Sequence, residues 1–311
     1  MSRASSNGFF AALVILSLAG GVVRPVHGAA PPPRMLLLDG AVVGHDLVAV
    51  GERGTILRSS DNGLSWESAA VAASAALTGV AFAPDARHGW AVGHDALILA
   101  TTDAGRTWSK QWQGANLTDS FLDVVAPDAQ HVIAVGAYGL YLSTGDGGAT
   151  WTRRKIIDED NHLNRLSLGP AGTLYIAGER GTILRSGDGG TTWVRLPVPY
   201  DGSFYGVLPL DRRTLVAYGL QGRVYRSTDD GATWASVTTG QPALLATALQ
   251  LRGNILVFAG QARVLLVSRD YGRTVVPWAA PLLTAVAELL ETPAGTILAL
   301  GEAGATLLPA P

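Results

Sequence analysis

The residues of this chain whose type and spacing suggest chemistry are aspartates that recur at a fixed place in a repeated turn. The turn reads Asp-x-Gly-x-[Ser/Thr]-Trp, and such a carboxylate could ligate calcium or flank a phosphate. A calcium loop of the EF-hand type needs several acids and a closing glutamate, and a phosphate loop needs Gly-Lys-[Ser/Thr] before a helix. Neither pattern occurs at these turns. The motif therefore predicts a structural hairpin, in which aspartate accepts backbone amides and glycine takes positive φ.

Six copies of this turn occur along the chain, and the sixth departs from the pattern. In that copy Val275 stands at the tryptophan position and Trp278 follows three residues later. Each tryptophan is expected to pack between neighbouring repeats. The predicted structural residues are Asp61, Gly63, Trp66, Asp103, Gly105, Trp108, Asp146, Gly148, Trp151, Asp188, Gly190, Trp193, Asp229, Gly231, Trp234, Asp270 and Gly272.

The elements that position these turns are revealed by a longer repeat. Gly-Glu-Arg-Gly-Thr-Ile-Leu-Arg-Ser occurs at 51–59 and again at 178–186. Its first glycine recurs at intervals of 41 to 43 residues, and each unit divides into four short β segments separated by turn residues. Seven such units predict an all-β, seven-bladed β-propeller; the alternative, a solenoid, usually has a shorter period. The recurring glycines are Gly51, Gly93, Gly136, Gly178, Gly219, Gly260 and Gly301.

The way the ring closes is left open by the sequence. The last repeat stops at Pro311 without an Asp turn or a tryptophan, so its outer strand must come from elsewhere or be missing. Met35 aligns with Leu77 as the start of an inner strand, and only the proline-rich stretch 29–34 precedes it in the predicted mature chain. Either that stretch closes the ring loosely, since proline is tolerated at a sheet edge, or the last blade has three strands.

The N-terminus has the features of a secretory signal. Arg3 precedes an apolar run from Phe9 to Val23, and small residues near Ala29 suit cleavage. We therefore expect a signal peptide at 1–28, a lead-in at 29–34 and a propeller at 35–311. An uncleaved anchor is the alternative, although the apolar run is short for a membrane span. The predicted location is periplasmic or otherwise extracytoplasmic.

Composition excludes several classes of function. The absence of cysteine rules out disulfides, thiolate metal sites and a cysteine nucleophile. Without Arg3 and Arg24, 21 basic side chains face 25 acidic ones, which argues against nonspecific nucleic-acid binding. The histidines lack the spacing of a metal site, and no Gly-x-Ser-x-Gly elbow occurs, so the sequence predicts no metal, no cofactor and no serine hydrolase.

The turns resemble the Asp-box, or BNR, repeats of sialidases and of many noncatalytic propellers. With Gly-x-x-Gly-x-Ile-Leu-x-Ser ahead of each turn, the unit resembles more specifically the photosystem II stability and assembly factor family and its bacterial relatives, over about residues 35–308. This resemblance implies a noncatalytic scaffold, expected to be a monomer, that helps to assemble or stabilise a membrane or envelope protein complex. In a photosynthetic host the protein would lie in the thylakoid lumen.

The sialidase resemblance implies a different function, a carbohydrate-active propeller. A sialidase would need three arginines around a carboxylate, a tyrosine nucleophile with a glutamate partner, and an acid/base aspartate. That set cannot be assembled here, because the Arg-Ile-Pro type motif is missing near the first strand and Arg24-Pro25 lies in the predicted signal peptide. The sequence therefore predicts no enzyme, and glycosidase or glycan-binding activity is kept as the alternative to a scaffold.

Partner-binding residues are predicted from two features that the repeat does not require. The first is a set of arginines inside the repeat, expected to form one ring or stripe unless they pair with Glu52 and Glu179. The second is the charged segment 153–165, expected at the mouth of the channel near Asn116, Asp119, Asp201 and Tyr205, or else a solvated loop. The candidates are Arg53, Arg58, Arg180, Arg185, Arg223, Arg226, Asn161, His162 and Arg165.

Overall fold

A computed structural model describes residues 35–71 and 73–311, and these residues form a seven-bladed β-propeller. Each blade is an antiparallel sheet whose strands follow one another in chain order from the channel outward. The predicted all-β fold is confirmed. The predicted signal peptide and lead-in lie outside the described residues.

Blade one contains β1 (Leu37–Val43), β2 (Asp46–Gly51), β3 (Ile56–Ser59) and β4 (Glu67–Ser68). Blade two contains β5 (Leu77–Phe82), β6 (Gly89–Gly93), β7 (Leu97–Thr101) and β8 (Ser109–Gln113). Blade three contains β9 (Phe121–Val125), β10 (Val132–Gly136), β11 (Tyr141–Thr144) and β12 (Thr152–Arg153). Blades four and five contain β13 (Leu163–Leu168), β14 (Leu174–Gly178), β15 (Ile183–Ser186) and β16 (Val194–Arg195); and β17 (Phe204–Pro209), β18 (Leu215–Gly219), β19 (Val224–Ser227) and β20 (Ala235–Val237). Blades six and seven contain β21 (Leu245–Leu251), β22 (Ile255–Gly260), β23 (Leu265–Ser268) and β24 (Val276–Pro277); and β25 (Val286–Glu291), β26 (Ile297–Gly301) and β27 (Gly304–Leu308).

Single 3-10 turns are the only helices in the described part of the chain, and none is long and apolar enough to cross a membrane. They lie at Glu52–Gly54, Ala137–Gly139, Pro170–Gly172, Leu220–Gly222, Arg252–Asn254 and Gln261–Arg263.

The ring closes by packing of its first inner strand against its last. Strand β1 packs on β25 of blade seven as well as on β5 of blade two. Within the described residues blade seven has three strands, and β27 has no outer neighbour. The first inner strand begins with Leu37, not Met35, as the counterpart of Leu77, because the hairpin between β1 and β2 is two residues shorter than that of blade two.

The two ends of the propeller carry different connections because the blades are antiparallel. The hairpin between the first two strands and the Asp turn between the last two lie at one end, which we call the Asp-turn end. The loop between the second and third strands and the connection to the next blade lie at the other, which we call the connection end.

Blade-to-blade packing accounts for the apolar runs in the middle strands. Strands β6, β10, β14 and β18 are buried along their whole length, because neighbouring blades cover both faces. Trp90 and Phe121 lie in one such interface, and Leu256 and Phe258 lie in another. Each fully buried side chain of this size contributes about 1.5–3 kcal/mol, so the ring is held mainly by these interfaces.

The Asp turns are built on a hydroxyl that the motif above omits. In blade five the Ser227 hydroxyl accepts the Gly231 amide at 2.9 Å and donates to Asp229, while Asp229 Oδ1 accepts the Thr233 amide at 2.9 Å. The same arrangement occurs in the other five turns. The hydroxyl is the last residue of the third strand, and Leu308 takes its place in blade seven. The hydroxyls belong to Ser59, Thr101, Thr144, Ser186, Ser227 and Ser268.

Replacing Ser227 with alanine tests this role of the hydroxyl. We expect a loss of about 1–3 kcal/mol in the free energy of unfolding, because the buried Gly231 amide loses its acceptor. Urea denaturation followed by tryptophan fluorescence measures the loss. Ser236→Ala is the control, since Ser236 is exposed on β20 of the same blade. Equal stability of the two variants would contradict the assignment.

The first glycine of every repeat ends the second strand of its blade at a close backbone contact. At Gly136 an added methyl group would overlap the Ser120 carbonyl oxygen and approach the Phe121 Cα to 2.8 Å. The equivalent glycines of the other six blades meet the matching carbonyl in the same way. That carbonyl also accepts the amide of the residue after the glycine, which ties each connection to its blade.

Candidate functional site

Side chains at the second loop position of the repeat project from the connection end in a strained backbone conformation. In six blades this residue lies in the left-handed region without being glycine, with φ between 53° and 58° in five blades and 50° at Arg180. A non-glycine residue in this conformation costs about 1 kcal/mol relative to glycine. The residues are Arg53, Asp95, Tyr138, Arg180, Gln221 and Ala262, and all are exposed.

Between blades three and four these positions assemble a set of unlike side chains, which we call the Tyr138 cluster: Tyr138, Asn161, His162, Glu179 and Arg180. The Tyr138 ring is 70% exposed and stands edge-on to the His162 ring, with centroids 4.8 Å apart. The His162 amide donates to Glu179 Oε2 at 2.9 Å, and its Nδ1 lies 3.7 Å from Glu179 Oε1. An aromatic ring, an imidazole and a carboxylate therefore lie together at the connection end, and Arg180 follows Glu179 in the same loop.

Asn161 gives this cluster its rigidity. Its side chain is buried and donates to Thr182 Oγ1 at 3.2 Å, while its carbonyl accepts the Gly139 amide at 2.8 Å. These two bonds join the connection ahead of blade four to the loops of blades three and four. Asn161 therefore supports the cluster from below and is not itself a surface contact.

A recess of about 420 Å³ opens beside Arg180, between its loop and the connection to blade five. Arg195 crosses the recess wall: its Nη1 donates to Glu159 at 2.8 Å and its Nη2 donates to Thr182 Oγ1 at 2.9 Å. Tyr200 and Asp201 line the opposite side. The recess thus extends the cluster toward blade five with basic and aromatic walls.

The six arginines of the repeat do not form one ring or stripe. Arg53, Arg180 and Arg223 lie at the connection end, where their side chains are exposed and form no ion pair within the described part of the chain. Arg53 and Arg180 are equivalent, but Arg223 lies two positions later in its loop.

The other three arginines lie on the third strands, near the Asp-turn end, and are occupied inside the molecule. Arg58 pairs with Asp46 of its own blade, and Arg185 Nη2 lies 2.8 Å from Asp230 of the next blade. Arg226 donates to the Tyr271 carbonyl of the next blade at 2.9 Å. The alternative of pairing with Glu52 and Glu179 is not what the structure has, because those carboxylates accept the amides of Leu36 and His162.

Arg165 lies in the channel and not in the connecting loop. It is the third residue of β13, and its Nη2 lies 2.6 Å from Glu288 Oε2 of blade seven, across the ring. Every inner strand has a register shift just before its third residue. The third residues thus form one layer around the channel: Asp39, Gly79, Asp123, Arg165, Gly206, Thr247 and Glu288.

The remaining predicted mouth residues lie at the connection end but make mostly local contacts. Asn116 donates to Asp119 at 3.1 Å, and Asp119 also pairs with Arg153 of the same blade at 2.7 Å. Asp201 is exposed, and Tyr205 is half-buried in the second position of β17.

The structure describes no metal-binding arrangement of side chains: across residues 35–71 and 73–311, no three His, Asp or Glu side chains are placed to hold an ion. His88 and His94 flank one strand but lie at opposite ends of it. His88 bonds Asp85 at 2.5 Å, and His94 bonds Ser120 at 2.9 Å.

Sequence reasoning missed Tyr138, Glu179, Arg195 and most of the channel layer. Tyr138 could have been found by aligning the repeats, because it lies two residues after the first glycine, as Arg53 and Arg180 do. The channel layer could have been found by aligning the third residues of the inner strands, where three acids and one arginine interrupt apolar strands.

The chain is similar to known proteins in sequence and in fold. The family model described as photosynthesis system II assembly factor YCF48 matches residues 42–112 and 109–254. A comparison with curated proteins gave no match.

Solved structures share the fold at low sequence identity. A structure described as YCF48 bound to D1 peptide is 20% identical over 90% of this chain and 95% of that chain, with a TM-score of 0.74. YCF48 from Cyanidioschyzon merolae is 17% identical over 90% and 97%, with a TM-score of 0.72. The WD40 propeller domain of Doa1 is 12% identical over 88% and 92%, with a TM-score of 0.69.

Proposed function

We propose that this chain, which belongs to the photosynthesis system II assembly factor YCF48 family, is a noncatalytic scaffold that binds a segment of a protein partner at the Tyr138 cluster. The exposed Tyr138 ring, which stands edge-on to His162, is the observation that carries this proposal.

The chemistry of the cluster suits a peptide better than a sugar or an ion. Aromatic and arginine side chains are the residues most enriched where protein partners bind most tightly. Arg180 offers a planar donor to a carboxylate of the partner, and Tyr138 offers an apolar face with little conformational entropy to lose. The adjoining recess provides room for one partner side chain beside Arg195.

The setting of this scaffold is a further part of the proposal. The signal-like residues 1–28 support export, and an exported family member would act on the extracytoplasmic side of a membrane or envelope complex, as a monomer. In a photosynthetic host this would be photosystem II. A D1 peptide is the first ligand to test, because a solved YCF48 structure is described as bound to one.

Glycine substitutions separate binding from folding at this site. Tyr138→Gly and Arg180→Gly should each weaken binding of the D1 peptide at least tenfold, since each removes a contact worth about 1.4 kcal/mol or more. Stability should change by no more than about 1 kcal/mol, because glycine relieves the left-handed strain. Calorimetric titration measures binding and urea denaturation measures stability.

The control is Ala262→Gly, which makes the same backbone change in blade six, away from the cluster. It should bind the peptide as the unchanged chain does. If the D1 peptide does not bind, pull-down from envelope extracts provides the partner for the same variants. Wild-type recovery of the partner by both Tyr138→Gly and Arg180→Gly would contradict the assignment of the site. Turnover of a fluorogenic sialoside by the unchanged chain would contradict the noncatalytic proposal.

A further inference from the structure

A group of charged side chains fills the centre of the ring and has no part in the proposed partner site. Arg165 reaches from blade four to Glu288 of blade seven, with Nη2 and Oε2 2.6 Å apart. Asp39 of blade one and Asp123 of blade three belong to the same layer, and Thr247 of blade six donates to Glu288 Oε1 at 2.8 Å. We call Asp39, Asp123, Arg165 and Glu288 the channel cluster.

Blades two and five contribute no charge to this layer because both have glycine there. At Gly206 the Tyr218 hydroxyl, from β18, occupies the space of the missing side chain. At Gly79 the Asp123 carboxyl comes within 3.2 Å of where a Cβ would stand. The titratable and charged groups that meet here are therefore three carboxyls, one guanidinium and one phenol.

The three carboxyls are unequally provided with hydrogen-bond donors. Glu288 Oε1 accepts the Thr247 hydroxyl at 2.8 Å and the Leu289 amide at 3.0 Å, and its Oε2 forms an ion pair with Arg165 without a hydrogen bond. Asp123 receives the Val124 and Leu166 amides, both at 2.8 Å. Asp39 receives only the Val80 amide, at 2.7 Å, and is 9% exposed.

Three negative charges beside one positive charge are costly here, because Asp39 and Glu288 are buried and Asp123 is half-buried. A buried ion is stable only when it is paired and fully hydrogen-bonded. Proton uptake relieves the imbalance, and the carboxyl with the fewest donors gains most from it. Burial, followed by the charges of Glu288 and Asp123, raises the pKa of Asp39 well above its usual value. Burial raises the pKa of Asp123 to about 6 and that of Tyr218 to about 12.

We propose that the channel cluster binds protons as part of the folded structure: Asp39 is protonated at neutral pH and Asp123 becomes protonated in a mildly acidic medium, so that acid tightens the ring. The proposal does not depend on the partner site. It makes the acidity of the surroundings a control on how firmly the blades are held together.

The sign of the effect follows from proton linkage. An aspartate in the unfolded chain has a pKa of about 3.9, so between this value and about 6 the folded chain holds a proton on Asp123 that the unfolded chain has lost. The free energy of unfolding therefore falls as pH rises through this interval, and Asp123 adds no further pH dependence above it. The Asp-turn carboxylates act at lower pH, because the hydroxyl and amide of Thr150, Thr192 and Thr233 lower the pKa of Asp146, Asp188 and Asp229 to about 2.

The experiment is urea denaturation of the whole chain at pH values from 7.5 to 4.5. As pH is lowered from 6 to 4.5, the unfolding equilibrium constant should fall by up to tenfold per pH unit for each proton that the folded chain holds and the unfolded chain does not. Asp123→Asn should lose about half of this slope, because Asp39 still holds a proton in the folded chain that it has lost in the unfolded chain. Asp39→Asn should unfold at the same or higher urea concentration than the unchanged chain at pH 7.5. Asp158→Asn is the matched control, since Asp158 is exposed, forms no ion pair within the described residues and should leave the slope unaltered.

Infrared spectroscopy gives a second measurement that does not depend on a variant's stability. The folded chain at pH 7 should show the carbonyl stretch of a protonated carboxyl, and Asp39→Asn should remove it. The proposal is overturned if the unchanged chain lacks this band, if it is no more stable at pH 5 than at pH 7.5, or if both asparagine variants keep the full slope.

Discussion

Replacing Arg165 with methionine should lower the free energy of unfolding by about 3 kcal/mol at pH 7.5, the largest effect expected of any single exchange of a charged residue in this chain. The change leaves Glu288 without its cation in a site that is 7% exposed. It also removes the positive charge that offsets Asp123. Removing one partner of a buried pair is far more damaging than removing both, because a lone buried charge remains.

Two further variants show whether the charge is responsible. Arg165→Met combined with Glu288→Gln should recover a large part of the loss, because the pair of charges is removed together. Arg153→Met should cost less than about 1 kcal/mol, since the Arg153 side chain is 60% exposed in its pair with Asp119. Urea denaturation at a fixed pH measures all three. Equal losses in Arg165→Met and Arg153→Met would mean that the cross-channel pair has no special weight.

Replacing Gly136 with alanine is expected to have an effect of similar size for a different reason. The added methyl group would overlap the Ser120 carbonyl oxygen, and the contact is with backbone that cannot rotate away. Overpacking of this kind costs about 1–3 kcal/mol, and the upper end applies here because the same carbonyl holds the Ala137 amide at 2.9 Å.

Gly145→Ala is the matched control for this exchange. Gly145 lies in the same blade, has no positive φ, and an added methyl group there would approach only the His131 ring, at 3.9 Å. Its stability should stay within about 0.5 kcal/mol of the unchanged chain. A Gly136→Ala variant as stable as Gly145→Ala would show that the connection can move aside, and the glycine would then need another explanation.

The sequence was sufficient for the fold because the repeat imposes the same local chemistry seven times. Spacing of the first glycine predicted seven blades, and both this prediction and the family resemblance are confirmed. The reason for that glycine was not visible, since the carbonyl it meets comes from the connection that enters its blade, about 16 residues earlier for Ser120 and Gly136.

The site was harder to predict because it depends on which end of a blade each residue reaches. The two arginines of the duplicated nonapeptide are five residues apart: the first lies in the loop at the connection end, and the second lies on the third strand near the Asp-turn end. Arg165 follows a charged loop in sequence, yet one register shift turns it into the channel. Contacts between blades three apart leave no periodic signal that could have revealed its partner.

The cross-channel pair also bears on the cooperativity of unfolding. A ring of repeats held only by contacts between neighbouring blades behaves nearly as a one-dimensional array, in which one unit can open with little effect on distant ones. Arg165 and Glu288 add a direct coupling between blades four and seven, which are far apart both along the chain and around the ring. Opening either blade exposes the other's buried charge, so the coupling favours unfolding of the propeller as a single unit.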